Sequence, residues 1–224
     1  MAKKRRSVVM GIDEAGRGPV LGPMVVCGVS VHEENLYLIE SMGLKDSKKL
    51  SPKKREEFAA LLEDVCRYEM AVLLPHEIDA RVESEETLNR LEVQCFASLV
   101  RSARPNIAYL DACDVNAGRF GLDVRGLLDF EVEIISAHEA DCKYPIVSAA
   151  SILAKVRRDY LVEKISEEMG EDVGSGYPAD VVTIEFLKSY YRKHKRLPGC
   201  CRKTWKTSAA IVADCKQSRL FSFE

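Results

Sequence analysis

The stretch that decides the fold reads GIDEAGRGPVLGPMVV, from Gly11 to Val26. An apolar run precedes it, and the pattern predicts a β-strand from Val8 to Asp13. Two adjacent carboxylates, Asp13 and Glu14, then follow the apolar residues of this strand. Neither a buried core nor an ordinary turn requires this charge together with so many glycines and prolines. We therefore interpret the stretch as part of a functional site.

The periodicity of the remaining chain indicates strands that come first and in pairs, with helices after them. Further strands are predicted at Pro23–Val31, at Arg67–Leu74, and in the segments NIAYLDA (106–112) and DFEVEII (129–135). Helices are predicted from Ser51-Pro52, from Ser84, from Ser148 to Met169, and from about Asp180 to Lys193. This order favours an α/β fold with a mixed sheet covered by helices.

The length of 224 residues suits one α/β domain with a smaller appendage. The loop GEDVGSGYP, residues 170–178, is the best internal boundary. We predict an α/β body over residues 1–174 and a basic helical region over residues 175–224.

Composition indicates a protein that remains inside the cell. Hydrophobic residues make up 46% of the chain, yet no run approaches the ~18 apolar residues of a membrane span, and the start is not a secretory signal. The eight cysteines are scattered, without a C-x-x-C pair. We expect reduced thiols, no zinc site and a cytoplasmic location.

The formal net charge of −2 hides an uneven distribution of charge. No Asp or Glu occurs between Phe186 and Ala213, whereas the same stretch contains Lys188, Arg192, Lys193, Lys195, Arg196, Arg202, Lys203 and Lys206. A solvated helix face is the ordinary explanation of a charge run. The missing acids favour a basic surface that meets a polyanion.

Four carboxylates follow apolar strands at distant places in the chain: Asp13, Glu14, Asp111 and Asp141. If they converge at one edge of the sheet, they repel each other unless a cation holds them together. Oxygen ligands without His or Cys select a hard ion, Mg²⁺ or Mn²⁺. Two such ions roughly 3.5–4 Å apart would suit phosphodiester hydrolysis.

Five motifs together identify a family. The segments GIDEAGRGPVLGPMVV, LKDSKKLS, YLDACDVN, EADCKYPIVSAASILAKVRRD and GSGYPAD resemble the successive motifs of type 2 ribonuclease H (ribonuclease HII), particularly its single-chain archaeal members. The resemblance spans about Gly11 to Trp205. It implies a ribonuclease H-like mixed β-sheet flanked by helices, with a small C-terminal helical extension.

The resemblance also implies an activity. Members cleave the RNA strand of RNA–DNA hybrids and cut 5′ of ribonucleotides embedded in duplex DNA, leaving 3′-hydroxyl and 5′-phosphate ends. Mg²⁺ or Mn²⁺ is the cofactor, and the roles are ribonucleotide removal and RNA primer processing. The catalytic and metal-binding carboxylates fall on Asp13, Glu14, Asp111 and Asp141.

Substrate contacts carry over from the same motifs. The resemblance assigns Gly16, Arg17 and Gly18 to reading the ribose 2′-OH at the RNA–DNA junction, and Tyr177 to stacking on the following deoxynucleotide. The further positions Lys45, Lys143 and Ser148 lie toward the substrate in the family. On residues alone, a tight turn after a strand is the better explanation of the Gly-Arg-Gly segment, and each lysine is equally an ordinary solvated side chain.

The helix after Asp141 has a polar stripe, formed by Ser148, Ser151, Lys155 and Arg158. We interpret this stripe as a phosphate-binding face.

The last residues, KQSRLFSFE, space Gln217, Leu220 and Phe223 three apart, as in a short 3₁₀-like turn. This resembles the sliding-clamp-binding motif of replication and repair proteins, although Glu224 stands where a second aromatic is usual. A frayed terminus that packs back on the body is the alternative.

Two other functions remain open from the sequence: a non-catalytic hybrid-binding module, and a related metal-dependent nuclease that acts on DNA. Nothing in the sequence requires a partner subunit, so we expect a monomer. Metal preference and the relative use of single ribonucleotides and long hybrids also remain open.

Overall fold

The computed structural model describes residues 7–44 and 50–220, with side chains up to Gln217. The chain divides into two compact units. The first comprises the described parts of Met1–Ala15, Val25–Ala71 and Leu88–Val156; the second comprises those of Gly16–Met24, Val72–Thr87 and Arg157–Glu224. The predicted boundary after residue 174 stays a prediction.

A five-stranded mixed sheet forms the frame of the fold. Its strands are β1 (Val8–Ala15), β2 (Met24–His32), β3 (Arg67–Leu73), β4 (Ile107–Asp111) and β5 (Glu133–Ala137), in the order β3-β2-β1-β4-β5. Strand β1 is antiparallel to β2 and parallel to β4, and β4 is parallel to β5. The predicted mixed sheet flanked by helices is confirmed.

Helices lie between the later strands and after the last one along the described chain. They are α1 (Leu36–Ser41), α2 (Pro52–Val65), α3 (Pro75–Ala80), α4 (Leu88–Ala103), α5 (Ala117–Gly126), α6 (Ala140–Lys143), α7 (Pro145–Met169), α8 (Val181–His194) and α9 (Lys206–Leu220). The predicted start of α2 is confirmed, because the Ser51 side chain accepts a hydrogen bond from the Lys54 amide. No helix among residues 7–44 and 50–220 is long and apolar enough to cross a membrane.

Three predicted boundaries were wrong by several residues. Helix α4 begins at Leu88 and not at Ser84, because Ser84 donates its hydroxyl to the Arg81 carbonyl and Glu85 adopts a left-handed φ of 55°. Strand β5 begins at Glu133, four residues after the predicted start at Asp129. Helix α7 begins at Pro145, a residue type that is favoured in the first helical turn.

Gly11 sets how closely α7 approaches the sheet in the first unit. A Cβ atom on Gly11 would lie 2.5 Å from the backbone carbonyl carbon of Ile146, in the first turn of α7. Only a residue without a side chain allows this approach. The beginning of α7 is therefore packed directly against β1, two residues before Asp13.

The second unit has its own hydrophobic core. Val20, Leu21, Val162, Val173, Phe186, Leu187, Cys201, Ile211 and Cys215 are buried together. Asp180, the N-cap of α8, closes the preceding loop: its carboxylate accepts hydrogen bonds from the Ser175 amide and hydroxyl (both 2.6 Å) and from the Val182 amide (3.0 Å). The loop and the start of α8 are thus joined through one side chain.

We predict that Asp180→Ala lowers the free energy of unfolding by about 1–2 kcal/mol, measured by urea denaturation. Hydrogen bonds from Ser175 lower the pKa of Asp180 from 3.8 to about 2. A lowered pKa stabilises the fold above the ordinary value, and this stabilisation is lost as the pH falls through the folded value. The difference between wild type and variant should therefore narrow between about pH 5 and about pH 2.

The control is Asp129→Ala, because the Asp129 side chain is 77% exposed and lies 3.9 Å from its ion-pair partner Arg104. Its free energy of unfolding should stay within about 0.5 kcal/mol of wild type. Equal losses in the two variants would contradict the capping role of Asp180.

Candidate functional site

Three of the four predicted carboxylates meet in the first unit. The parallel register sets Gly11 of β1 opposite Tyr109 of β4, so Asp13 and Asp111, two residues further on, follow on the same face. Each of Asp13, Asp111 and Asp141 offers a carboxylate oxygen, and these three oxygens lie within 4.8 Å of one another. Residues nearly 130 positions apart therefore form one acidic centre, with Asp13 and Asp141 buried.

A hydrogen bond within this centre determines the position of Asp141. The Ala140 amide, at the start of α6, donates to Asp111 Oδ1 at 3.0 Å. Glu139, just before it, has a left-handed φ of 52°, a strained conformation for a residue other than glycine. Asp111 thereby holds the short helix that carries Asp141.

Asp13 is a buried carboxylate. Burial and the neighbouring Glu14 raise its pKa from 3.8 to about 7, while the Lys155 ammonium and the Ser151 hydroxyl oppose this rise. Both of these residues come from α7. Ser151 and Lys155 therefore act on Asp13. The interpretation of this polar stripe as a phosphate-binding face stays a prediction.

Glu14 belongs to a second group of ligand atoms, with Glu92 and Cys113. Burial and the Glu92 carboxylate raise the pKa of Glu14 to about 7, and the Cys113 thiol donates to Glu14 Oε2 at 3.3 Å. Glu92, which is fully buried on α4, was not among the residues predicted from the sequence. The sequence did contain a signal for it: this carboxylate directly follows Leu91, which belongs to the apolar stripe of Leu88, Leu91, Cys95 and Leu99.

The chemistry of these side chains fits a hard divalent cation. Oxygen atoms of Asp13, Asp111 and Asp141 supply the donors that Mg²⁺ and Mn²⁺ prefer. Three carboxylates this close repel one another, and burial increases the cost of their ionisation. A cation would offset both effects.

The predicted substrate-reading residues lie in the second unit. Gly16 has a φ of 88°, and a Cβ atom on it would lie 2.6 Å from the Pro23 carbonyl oxygen, so glycine is required there. Gly18 is exposed, and a Cβ atom on it would lie 4.0 Å from Cε1 of Tyr177. Arg17 is half-buried, and Tyr177 is 42% exposed. The Gly16–Gly18 segment and Tyr177 are thus neighbours, as one recognition surface would require.

The remaining predicted site residues have varied surroundings. Lys143 is exposed and donates to the His138 carbonyl at 2.7 Å. The Ser148 hydroxyl is buried and donates to the Leu44 carbonyl. Lys45 lies outside the described residues. The predicted substrate roles of all three stay predictions.

Of the predicted clamp-binding residues, only Gln217 has a described side chain. It is exposed in the last turn of the α-helix α9, and not in the 3₁₀-like turn that its spacing suggested. The Leu220 side chain and the whole of Phe223 lie outside the described residues.

The predicted basic surface is largely exposed, with one correction. The exposed members are Arg192, Lys193, Lys195, Arg196, Lys203 and Lys206. Lys188 forms an ion pair with Asp214 at 2.9 Å. Arg202 is completely buried, so its assignment to this surface was wrong.

Comparison with known proteins agrees with this geometry. The family model described as Ribonuclease HII matches residues 10–208. A relative named ribonuclease HII from Methanocella arvoryzae is 72% identical over 224 residues, which is the full length of both chains.

Two solved structures share the fold at 40% sequence identity. Ribonuclease H2 from Pyrococcus horikoshii has a TM-score of 0.86 and matches 94% of this chain and 99% of its own. The ribonuclease HII in a complex with PCNA from Archaeoglobus fulgidus has a TM-score of 0.81 and matches 91% of this chain and 96% of its own. The chain therefore belongs to the ribonuclease HII family and is a nuclease of the ribonuclease H type.

Proposed function

We propose that the chain is an endoribonuclease that cleaves the RNA strand of RNA–DNA hybrids and cuts 5′ of ribonucleotides embedded in duplex DNA. The products are 3′-hydroxyl and 5′-phosphate ends, formed by two-metal-ion hydrolysis with Mg²⁺ or Mn²⁺. This activity serves ribonucleotide removal and RNA primer processing, and so DNA replication and repair. The eight cysteines, all within the described residues, form no disulfide bond, which supports the proposal that the protein acts in the cytoplasm.

The convergence of Asp13, Asp111 and Asp141 carries this proposal. Divalent ions held by these oxygens supply activation of water and stabilisation of the leaving oxygen. Glu14 is the fourth proposed ligand, since the Asp111 carboxylate of the acidic centre also raises its pKa. Ser151 and Lys155 favour the ionised form of Asp13, which is the form that binds a cation.

Recognition is proposed to be separate from cleavage. The Gly16-Arg17-Gly18 segment and Tyr177 read the RNA–DNA junction, because the 2′-OH is the group that distinguishes RNA from DNA. Lys45, Lys143 and Ser148 contribute on the substrate side, and the exposed cations of residues 192–206 bind phosphates. In this assignment residues 1–174 carry the catalytic acids, and residues 175–224 form a basic region that ends in a clamp-binding tail.

We predict that a duplex with one embedded ribonucleotide is cut at that nucleotide in Mg²⁺ or Mn²⁺, and that EDTA abolishes cutting. Asp13→Asn and Asp111→Asn should reduce the rate by more than about 100-fold while the variants still bind the duplex, since loss of even an outer partner of a metal ligand costs roughly 10- to 100-fold. In the absence of substrate, Mn²⁺ should raise the melting temperature of wild type more than that of either variant.

The matched control is Asp123→Asn, an exposed carboxylate of α5 in the same unit, which should keep wild-type activity. An unimpaired Asp111→Asn enzyme would contradict the proposal. Binding without cutting by wild type would indicate a hybrid-binding module, and equal cutting of all-DNA duplex would indicate a DNA nuclease.

We predict that Tyr177→Ala and Arg17→Ala reduce the preference for the junction substrate over a uniform RNA–DNA hybrid. Loss of a stacked aromatic should weaken recognition by about 1–3 kcal/mol. The measurement is the ratio of kcat/KM for the two substrates. Tyr160→Ala is the control, because Tyr160 is 45% exposed, close to the 42% of Tyr177, and has no proposed role. A ratio that falls equally in both tyrosine variants would argue against recognition by Tyr177.

We also propose that the tail binds the sliding clamp through Gln217, Leu220 and Phe223. The spacing of these residues supports it, as does a 40%-identical ribonuclease HII solved in complex with PCNA. The exposed position of Gln217 is consistent with this role.

A peptide of residues 215–224 is predicted to bind the cognate clamp in calorimetry. Replacing Leu220 and Phe223 by alanine should weaken binding at least tenfold, or about 1.4 kcal/mol. A peptide with Lys216→Ala is the control and should bind as the native peptide does. If the native peptide does not bind and deletion of these residues leaves clamp affinity of the full chain unchanged, the clamp proposal is wrong.

A further inference from the structure

Arg202 is a fully buried arginine whose guanidinium group binds one short segment of the second unit. Its Nη2 donates to the Gly16 carbonyl at 2.6 Å, its Nη1 to the Arg17 carbonyl at 3.0 Å, and its Nε to the Gly22 carbonyl at 3.0 Å. A single side chain therefore fixes three carbonyl groups between residues 16 and 22.

The backbone of Arg202 is held as firmly as its side chain. Its amide donates to the Val20 carbonyl at 2.8 Å, and its carbonyl accepts from the buried Ser208 hydroxyl at 2.6 Å. Its guanidinium carbon lies 5.0 Å from the centre of the Trp205 ring. Because these contacts leave Arg202 little freedom, the carbonyls that it binds have little freedom either.

Because Arg202 fixes the direction of these carbonyls, the geometry of the peptide bond also fixes the direction of the amides that follow them. In a planar trans peptide, the carbonyl of one residue and the amide of the next point in opposite directions. When the Gly16 and Arg17 carbonyls point toward Arg202, the amides of Arg17 and Gly18 point away from it. The buried side chain thereby orients the backbone donors of the proposed substrate-reading segment.

Arginine suits this task better than lysine. Its planar guanidinium offers several donors in a fixed geometry, whereas an ammonium group is a compact point charge on a flexible stem. Burial, together with the nearby Arg158, lowers the pKa of Arg202 to about 10, so the group remains charged at neutral pH. Charged donors make stronger hydrogen bonds to carbonyls than neutral donors do.

We propose that Arg202 is a positioning residue for substrate recognition: it holds the Gly16–Gly22 segment so that the amides of Arg17 and Gly18 face the substrate. This inference rests on the proposed role of the Gly16–Gly18 segment. It assigns to the buried Arg202 a part in specificity that it performs without touching the nucleic acid.

The test compares Arg202→Lys with Arg81→Lys in the full-length protein. Arg81 is a matched control, because its guanidinium carbon also lies 5.0 Å from the Trp205 ring, but its hydrogen bond goes to the Ile78 carbonyl. Three quantities are measured for each: the melting temperature, amide hydrogen exchange of residues 16–22, and kcat and KM on the junction and uniform-hybrid substrates.

We expect Arg202→Lys to speed exchange in residues 16–22 at least tenfold and to lower kcat on the junction substrate at least tenfold, with less effect on the uniform hybrid. Arg81→Lys should change neither. If Arg202→Lys melts below the assay temperature, Arg202→Gln replaces it, since its amide can still donate to one carbonyl.

Several results would overturn the inference. Unchanged exchange in the folded variant would show that Arg202 does not hold the segment. An equal fall in kcat on both substrates would show that Arg202 contributes only to stability. Unfolding of both Arg202 variants, while Arg81→Lys stays folded, would show the same. Amide exchange is measured without substrate and therefore tests the hold of Arg202 on the segment independently of activity. If the wild-type enzyme showed no preference for the junction substrate, that result would contradict the proposed function and not the hold of Arg202 on the segment.

Discussion

Parallel pairing of β1 with β4 is the constraint on which the acidic centre depends. The backbone hydrogen bonds of this pair, and not contacts between the acids, bring Asp13 and Asp111 to one face. Left to themselves, the two carboxylates would separate, because like charges in a region of low polarity repel strongly. The sheet therefore maintains an arrangement that the side chains alone disfavour. Asp111 in turn accepts a hydrogen bond from the Ala140 amide and so fixes the short helix that carries Asp141.

The two units differ in how they prepare their functional groups. In the first, carboxylates are carried by strands and a short helix, which hold side chains more precisely than loops do. In the second, the proposed recognition groups are backbone amides of a glycine-containing segment, whose conformation is set by hydrogen bonds to its carbonyls. In the proposed function, carboxylate side chains serve cleavage, and backbone amides act together with the Tyr177 side chain in recognition.

The sequence was most informative where a local pattern determines the outcome. Alternation of apolar residues predicted the strands, and the position of Asp13 and Asp111 at the ends of two of them led to the hypothesis that they converge at one edge of the sheet. Glu92 was missed because its partner, Glu14, lies 78 positions away and only the packing of α4 unites them. Arg202 was assigned to the surface because its neighbours in sequence are exposed cations, and a charge run does not reveal which member points inward. The start of α4 was misplaced because the left-handed conformation of Glu85 has no signature in its residue type.

The contact between Gly11 and Ile146 limits how this protein could be made more robust. Exchange of glycine for alanine is a common route to thermostable variants, since it reduces the freedom of the unfolded chain. At Gly11 the added methyl group would occupy the space of the α7 backbone and push this helix, with Ser151 and Lys155, away from Asp13. Gly11 is therefore unsuitable for this exchange. The methyl group that would restrict the denatured chain would also disturb the acidic centre of the folded protein.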